Sequence, residues 1–399
     1  MRIQYIQEEK MKKFLAVLLA LAMVFTLAAC GDKKEEAETG IPTIQLWATG
    51  SQNVSDIFTE LTSVYNAKED RACNVELQFI LSGTGDANVK SRYAAAYQAG
   101  DTKDFDMIVE NGSDLLEYVQ LAGSEDCFIN LDKSKLSNIG NVKMEPSVMK
   151  EKLVPYRGTT VVLSYDSAKL PNPPQTWDEL VEWCKANPGK FDYNDPSTGG
   201  AGQAFVFNAI YRQIALTQND PNCYANGADE KYLGMMDPGF QWLADLHPYL
   251  YTSGGHVQYA VKNQGALDLL SQGEVWMVPA WADGTLTALE QGTLPSTVKM
   301  YQLSDLSLTG TDVDMCICAT SQHPEECYDF MDFMISAEAQ QLLVEHMKAV
   351  PVVDASTLEQ TESVKAVSTL NPAEFNILSV GTNGQAMKDR WAQDIATLN

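Results

Sequence analysis

Histidine is scarce. His247, His256, His323 and His346 are its four occurrences in 399 residues, and they are scattered. That leaves little material for imidazole catalysis or a His-rich metal site. The motifs G-x-S-x-G and H-E-x-x-H are missing, which removes the usual marks of a serine hydrolase and a zinc peptidase. No C-x-x-C pair occurs among the eight cysteines, so a thiolate zinc site has no anchor. Basic residues are few as well: 28 Lys and Arg stand against 53 Asp and Glu, a net charge of −25. A field of that sign opposes nucleic acid and anionic lipid. It does not decide a ligand, because a local pocket can oppose the global charge. No internal repeat is found, and only one apolar run approaches membrane length.

That run, Phe14–Leu27, follows a short basic region at Lys12 and Lys13. It falls short of the roughly 20 residues a spanning helix needs. Leu27-Ala28-Ala29-Cys30 comes next, then a charged tract to Gly40. Residues 1–29 therefore read as a secretory signal peptide, with Met1 or Met11 as the start. The Leu-Ala-Ala-Cys run resembles a bacterial lipobox, which implies cleavage before Cys30 and lipid on its sulfur: an anchored chain rather than a spanning one. An ordinary signal peptide or an uncleaved anchor is the alternative. Residues 30–41 would be the lipidated cysteine and a flexible tether. Seven cysteines remain, and an odd number cannot all pair within the chain. Cys184 on a helix stripe, and Cys316 and Cys318 on one strand face, read as small buried hydrophobes. Disulfides among the seven stay open.

The folded part, from residue 42 onward, is long enough for two domains. Residues 43–122 alternate strand and helix. Ile44–Ala48, Val75–Leu81 and Phe105–Val109 read as strands; Val54–Tyr65, Val89–Tyr97 and Ser113–Leu121 read as amphipathic helices. This order predicts an α/β lobe with a largely parallel sheet. Ligands of such sheets bind beyond the carboxyl ends of the strands. Those ends are small and polar here: Trp47–Ser51, Ser82–Gly85 and Asn111–Ser113. Each opens a helix whose free N–H groups would face a cleft, although ordinary tight turns use the same residues. Gly199–Gln203 is a similar glycine-rich helix start, without the lysine of a phosphate-binding loop or the spacing of a dinucleotide fingerprint.

The stretch Val154–Leu180 organises the rest. An apolar run ends near Tyr165, a proline cluster follows, and Thr176 with Glu179 forms a capping box. Trp177, Leu180, Val181 and Cys184 then make one buried stripe. As a whole it resembles the inter-lobe crossover of extracellular solute-binding proteins, the ligand receptors of ABC importers. Gly273–Gly284 is similar to that family's strand ending in Trp, and Pro324–Gln340 to its helix pair, with Cys327 where the family commonly has Ala. Ala349–Val352 resembles the return crossing. The resemblance implies a type II periplasmic-binding-protein-like α/β fold: two hinge-linked lobes, each a central sheet flanked by helices. Lobe 1 would comprise 42–157 plus 312–350, and lobe 2 158–311 plus 351–399. The hinge would lie at Arg157–Thr159, Leu308–Thr311 and Ala349–Pro351.

Its further implications are a monomeric, extracytoplasmic, lipid-anchored receptor that takes a small solute to an ABC permease and ATPase, with no cofactor, metal or nucleic acid. Expected ligand contacts are Trp47, Gly83, Thr84, Asn111 and Ser113 from one wall and Gly202, Gln203, Trp281 and Asp283 from the other. Arg157 at the hinge would meet a carboxylate or phosphate, or else serve an inter-lobe ion pair. Trp281 has the alternative of a buried residue pinning its strand. A sensory or adhesive surface protein and a secreted enzyme on the same fold are the other function classes. The crossover segment looks nearest to the branch with thiamine, iron and uncharacterised-solute binders. It ranks a small organic solute, phosphorylated or cationic (a thiamine-like compound or polyamine), above a sugar, and a sugar above iron.

Overall fold

The first strand, β1 (Thr43–Gly50), buries Ile44, Leu46 and Ala48 on one face and Trp47 on the other. Burial on both faces is what a central strand of a parallel sheet requires. The computed structural model describes residues 40–82, 84–368, 370 and 375–398. The expected signal peptide and Cys30 fall outside them, as do Gly83 and the side chain of Ser113. No helix among the described residues is long and apolar enough to cross a membrane.

The helix α1 (Gln52–Asn66) lays Val54, Ile57, Phe58, Leu61 and Tyr65 on the sheet. Strand β2 (Asn74–Leu81), helix α2 (Asp86–Ala99), strand β3 (Met107–Asn111) and helix α3 (Gly112–Ala122) follow. β1 pairs in parallel with both β2 and β3, so the expected alternation is present. The rest of this sheet comes from far along the chain. Strand β4 (Val154–Asp166) is buried at every position. Its first half pairs with the distant strand Gly310–Ile317, which also pairs antiparallel with β3. Its second half pairs with two strands of the other half of the molecule, Met277–Trp281 and Val298–Tyr301. One strand thus carries the chain from the first core into the second. The first core gathers Phe58, Tyr156 and Phe330; the second gathers Trp177, Phe205 and Trp391.

The three expected crossings lie side by side. Thr159 is opposite Thr311, Gly158 is opposite both Asp312 and Val350, and Arg157 is opposite Pro351. Gln340, fully buried, ties the first of them to the return crossing. Its Nε2 donates to the Tyr156 carbonyl (2.7 Å) and the Met334 carbonyl (2.9 Å), while its Oε1 accepts from the Val352 amide (2.9 Å). The tail divides between the cores: Leu358, Val364 and Val367 pack in the first, and Leu378, Val380, Met387 and Trp391 in the second.

In the second half, α4 (Trp177–Ala186) starts as the sequence predicts. Thr176 Oγ1 accepts from the Glu179 amide at 3.2 Å, and Glu179 reaches back to the Gln175 amide at 2.7 Å. Helix α5 (Gly200–Gln218) runs through the core. The strand Met277–Trp281 leads directly into helix α6 (Ala282–Glu290). The seven described cysteines are all buried and unpaired.

Candidate functional site

The carboxyl ends of β1 and β3 face the start of α5 and the Trp281 turn across a cavity of about 300 Å³, with the crossing strands as its floor. Five residues expected from sequence meet there: Asn111, Arg157, Gln203, Trp281 and Asp283. Three do not line it. Trp47 sits three positions before the strand end, because β1 runs on to Gly50. Its ring stacks on Phe105 (centroids 4.9 Å apart) and its Nε1 donates to the Asp104 carbonyl at 2.6 Å. Thr84 is exposed beyond the edge strand β2, donating to the Leu81 carbonyl at 2.5 Å. Gly202 is a packing glycine: a Cβ there would collide with the Asn194 carbonyl.

The start of α5 also differs from expectation. Its free amides are largely taken: Ala201 N–H donates to Asn263 Oδ1 (3.0 Å) and Gly202 N–H to Asn194 Oδ1 (2.8 Å). Two asparagines from elsewhere in the chain thus satisfy donors that would otherwise await an anion. What this wall presents instead is side chains. Trp281 lies against Gly200, close enough that a Cβ on that glycine would come within 2.9 Å of the ring.

Charge is the cavity's main feature. Arg157, 6% exposed, donates from Nε to the Tyr156 hydroxyl (3.0 Å), while its Nη1 is buried without a partner. Burial opposes its charge, but the Tyr156 phenol and Asp283 more than offset this and hold its pKa above the ordinary value. Asp283 is equally buried. Its Oδ2 accepts from Asn53 Nδ2 at 3.3 Å, and its Oδ1 has no partner. Burial raises its pKa, against the pull of Arg157.

A second group of charges shares the cavity. Lys90 Nζ donates to Asp114 and to Glu117, each at 2.7 Å. Asn111 Nδ2 donates to Asp114 at 3.1 Å, which makes Asn111 a brace for this cluster as well as a wall residue. Glu110 accepts from Thr49 Oγ1. Burial first, then the negative charge of Asp114, push its pKa up to about 8. Burial opposes ionisation of Asp114, but Lys90 and then Lys388 draw that carboxyl below its ordinary pKa. The run Glu110-Asn111-Gly112-Ser113-Asp114 held a signal for the acids, since it ends a strand and opens a helix. Nothing local marks Lys90 or Lys388. Among the described residues, no group of three or more His, Cys, Asp or Glu is set to hold a metal ion.

Residues 63–371 match the family of bacterial extracellular solute-binding proteins. The chain belongs to that family. By that family's description it binds a solute outside the cytoplasm. Protein YnjB of Escherichia coli (strain K12) is 34% identical over 101 residues, which is 25% of this chain and 25% of that protein. The chain thus matches only a quarter of the length of that curated relative. Among solved structures, an ABC transporter from Clostridium perfringens aligns with TM-score 0.59 at 17% identity, over 88% of this chain and 98% of that one. The apo ferric ion-binding protein A of Pasteurella haemolytica aligns with TM-score 0.65 at 12% identity, over 89% and 99%. At such identities the likeness concerns the fold: a type II, two-lobed periplasmic binding protein.

Proposed function

We propose that this solute-binding protein is a lipoprotein, held to the outer face of the cell membrane through Cys30, that closes its lobes on one small polar solute and presents it to an ABC permease and ATPase. The supporting observation is the cavity. Residues named from sequence on both sides of the crossing strands line one cavity, and two of them carry buried, opposite charges. We assign residues 42–157 and 312–367 to lobe 1, and 158–311 and 375–398 to lobe 2, following the cores into which their side chains pack. The hinge is the seam where Gly158 faces Asp312 and Val350. Closure is driven by contacts a ligand makes with both lobes at once. Of the expected contacts, Asn111, Arg157, Gln203, Trp281 and Asp283 are the ones assigned to ligand.

Thermal unfolding of the soluble chain beginning after Cys30, stripped of co-purified ligand, tests solute capture. The panel holds thiamine and its phosphates, polyamines, sugars, amino acids and ferric ion. A ligand at 100 times its Kd adds about 2.7 kcal/mol of stability. A saturable upward shift with one class is expected; a flat response to every class overturns capture at this cavity. Anchoring is tested separately by metabolic labelling with palmitate, which should be lost in Cys30→Ser. Labelling that survives the substitution would refute the lipid assignment.

A further inference from the structure

We propose that the captured solute is a small zwitterion of the amino-acid type, with its carboxylate on Arg157 and an N–H-bearing ammonium on Asp283; this rests on the capture reading above. Arg157 and Asp283 are each 6% exposed and line the cavity, and each keeps one hydrogen-bonding atom without a partner, Nη1 on the arginine and Oδ1 on the aspartate. Their existing bonds go elsewhere, to Tyr156 and Asn53, and not to one another. A buried charged group left short of partners is costly, and a ligand that completes it is held strongly. One orphan is a donor on a cation and the other an acceptor on an anion, so the complementary ligand carries both signs.

The remaining charges are already matched. Lys90 bridges Asp114 and Glu117, and Lys388 faces the same pair. Glu110, with its pKa raised to about 8, is mostly neutral at pH 7. The cavity therefore has no surplus of either sign to neutralise a dianionic phosphate or a polyamine. A monoanionic carboxylate suits the planar fork of Arg157. The free oxygen of Asp283 needs a hydrogen-bond donor, which a quaternary ammonium lacks. At about 300 Å³ the space is at the small end of ligand pockets.

Titration calorimetry on the full chain in mild detergent, stripped of bound ligand, decides this. The probes are α-amino acids and ω-amino acids from β-alanine to 6-aminohexanoate. Each is set against its analogue without the amine, its analogue without the carboxylate, and glycine betaine. At least one amino acid should bind, and loss of either charged group should weaken it about 30-fold or more. In Asp283→Asn the preference for the amino acid over its amine-free analogue should collapse, and in Arg157→Gln the preference over its carboxylate-free analogue. These are ratios that a general loss of structure would not invert, and ligand-free melting curves report folding of each variant. Binding of a polyamine, sugar or phosphate ester with no amino acid bound would overturn the zwitterion while leaving solute capture intact. Amino-acid binding with both ratios unchanged by the substitutions would overturn the roles of Arg157 and Asp283. Silence across this panel and the wider one would overturn both readings.

Discussion

Trp281 and Glu110 show two ways a single side chain can matter in this cavity. Trp281 supplies a flat apolar face beside Asp283, packed against Gly200 and still partly exposed. Its removal leaves the surrounding strand pairing untouched, since that runs through the backbone opposite Val161. Trp281→Ala is expected to weaken ligand binding about 30-fold, the ~2 kcal/mol of an aromatic anchor, with circular dichroism unchanged. Normal affinity would remove Trp281 from the site. Glu110 is a matter of protons. Its folded pKa, about 8, lies above the ordinary 4.5. Between those values the folded chain holds a proton that the unfolded chain releases. The stabilisation is therefore complete below about pH 4.5 and declines as pH rises, until it is gone above about pH 8. Unfolding free energy should fall across that window by up to roughly 1.4 kcal/mol per pH unit, and Glu110→Gln should flatten the slope. An equal slope in the variant would assign the effect to other buried acids such as Asp283.

At the level of elements, much could be read in advance because it is written locally. The Thr176–Glu179 box, the Trp177 stripe and the β-α alternation of residues 43–122 depend on neighbours a few positions apart, and each takes the expected form, except that Val181 of the stripe is only half-buried. The end of β1 was misjudged by two residues. That was enough to move Trp47 from cleft to core, since each strand residue advances the chain by about 3.3 Å and leaves Trp47 roughly 10 Å short of the strand end. The amides of α5 were expected to be open, but Asn194 and Asn263 fill them; Asn263 lies some sixty positions away, and no local pattern announces such a partner. Lys90 and Lys388 are invisible for the same reason. Gln340 lies between these cases: it stands in a recognisable motif, but its role appears only once the crossings lie together. Gln340→Ala would leave the Val352 amide and the Tyr156 carbonyl without their partner in a dry seam. It should cost about 1–3 kcal/mol, measurable by urea denaturation. A change below 0.5 kcal/mol, a size common for surface sites, would mean the seam is held by the strands alone.

Across the whole molecule, the two halves touch at points away from the cavity. Gln120 Oε1 accepts from the Thr382 amide at 2.8 Å, and Lys348 Nζ donates to Glu290 at 2.8 Å. Together with Asn53 and Asp283 they connect the lobes on several sides. Such contacts bias the balance between open and closed forms without touching a ligand. Gln120→Ala is expected to weaken affinity a few-fold, with small-angle scattering showing a larger ligand-free radius. An unchanged radius would make the contact incidental. The cysteines follow a different whole-molecule rule. All seven are buried, and burial raises the thiol pKa of each, Cys73 and Cys223 to about 11. A thiol is reactive as thiolate, so a thiol reagent should titrate none of these seven in the native protein and all of them in guanidinium. Rapid native labelling of any one would show that its core opens.

The shared strand β4 also sets an order of events. A polypeptide emerges from the ribosome N-terminal end first. Residues 43–166 have emerged early, but the sheet to which they belong lacks its partner until Gly310–Ile317 arrives, and its last edge until Val350–Pro351. The second core likewise waits for Trp391. Neither half can finish while the chain is still short, and pairings this far apart in sequence form slowly. For a protein that must leave the cytoplasm, that delay keeps the chain extended during the interval in which it has to be threaded through.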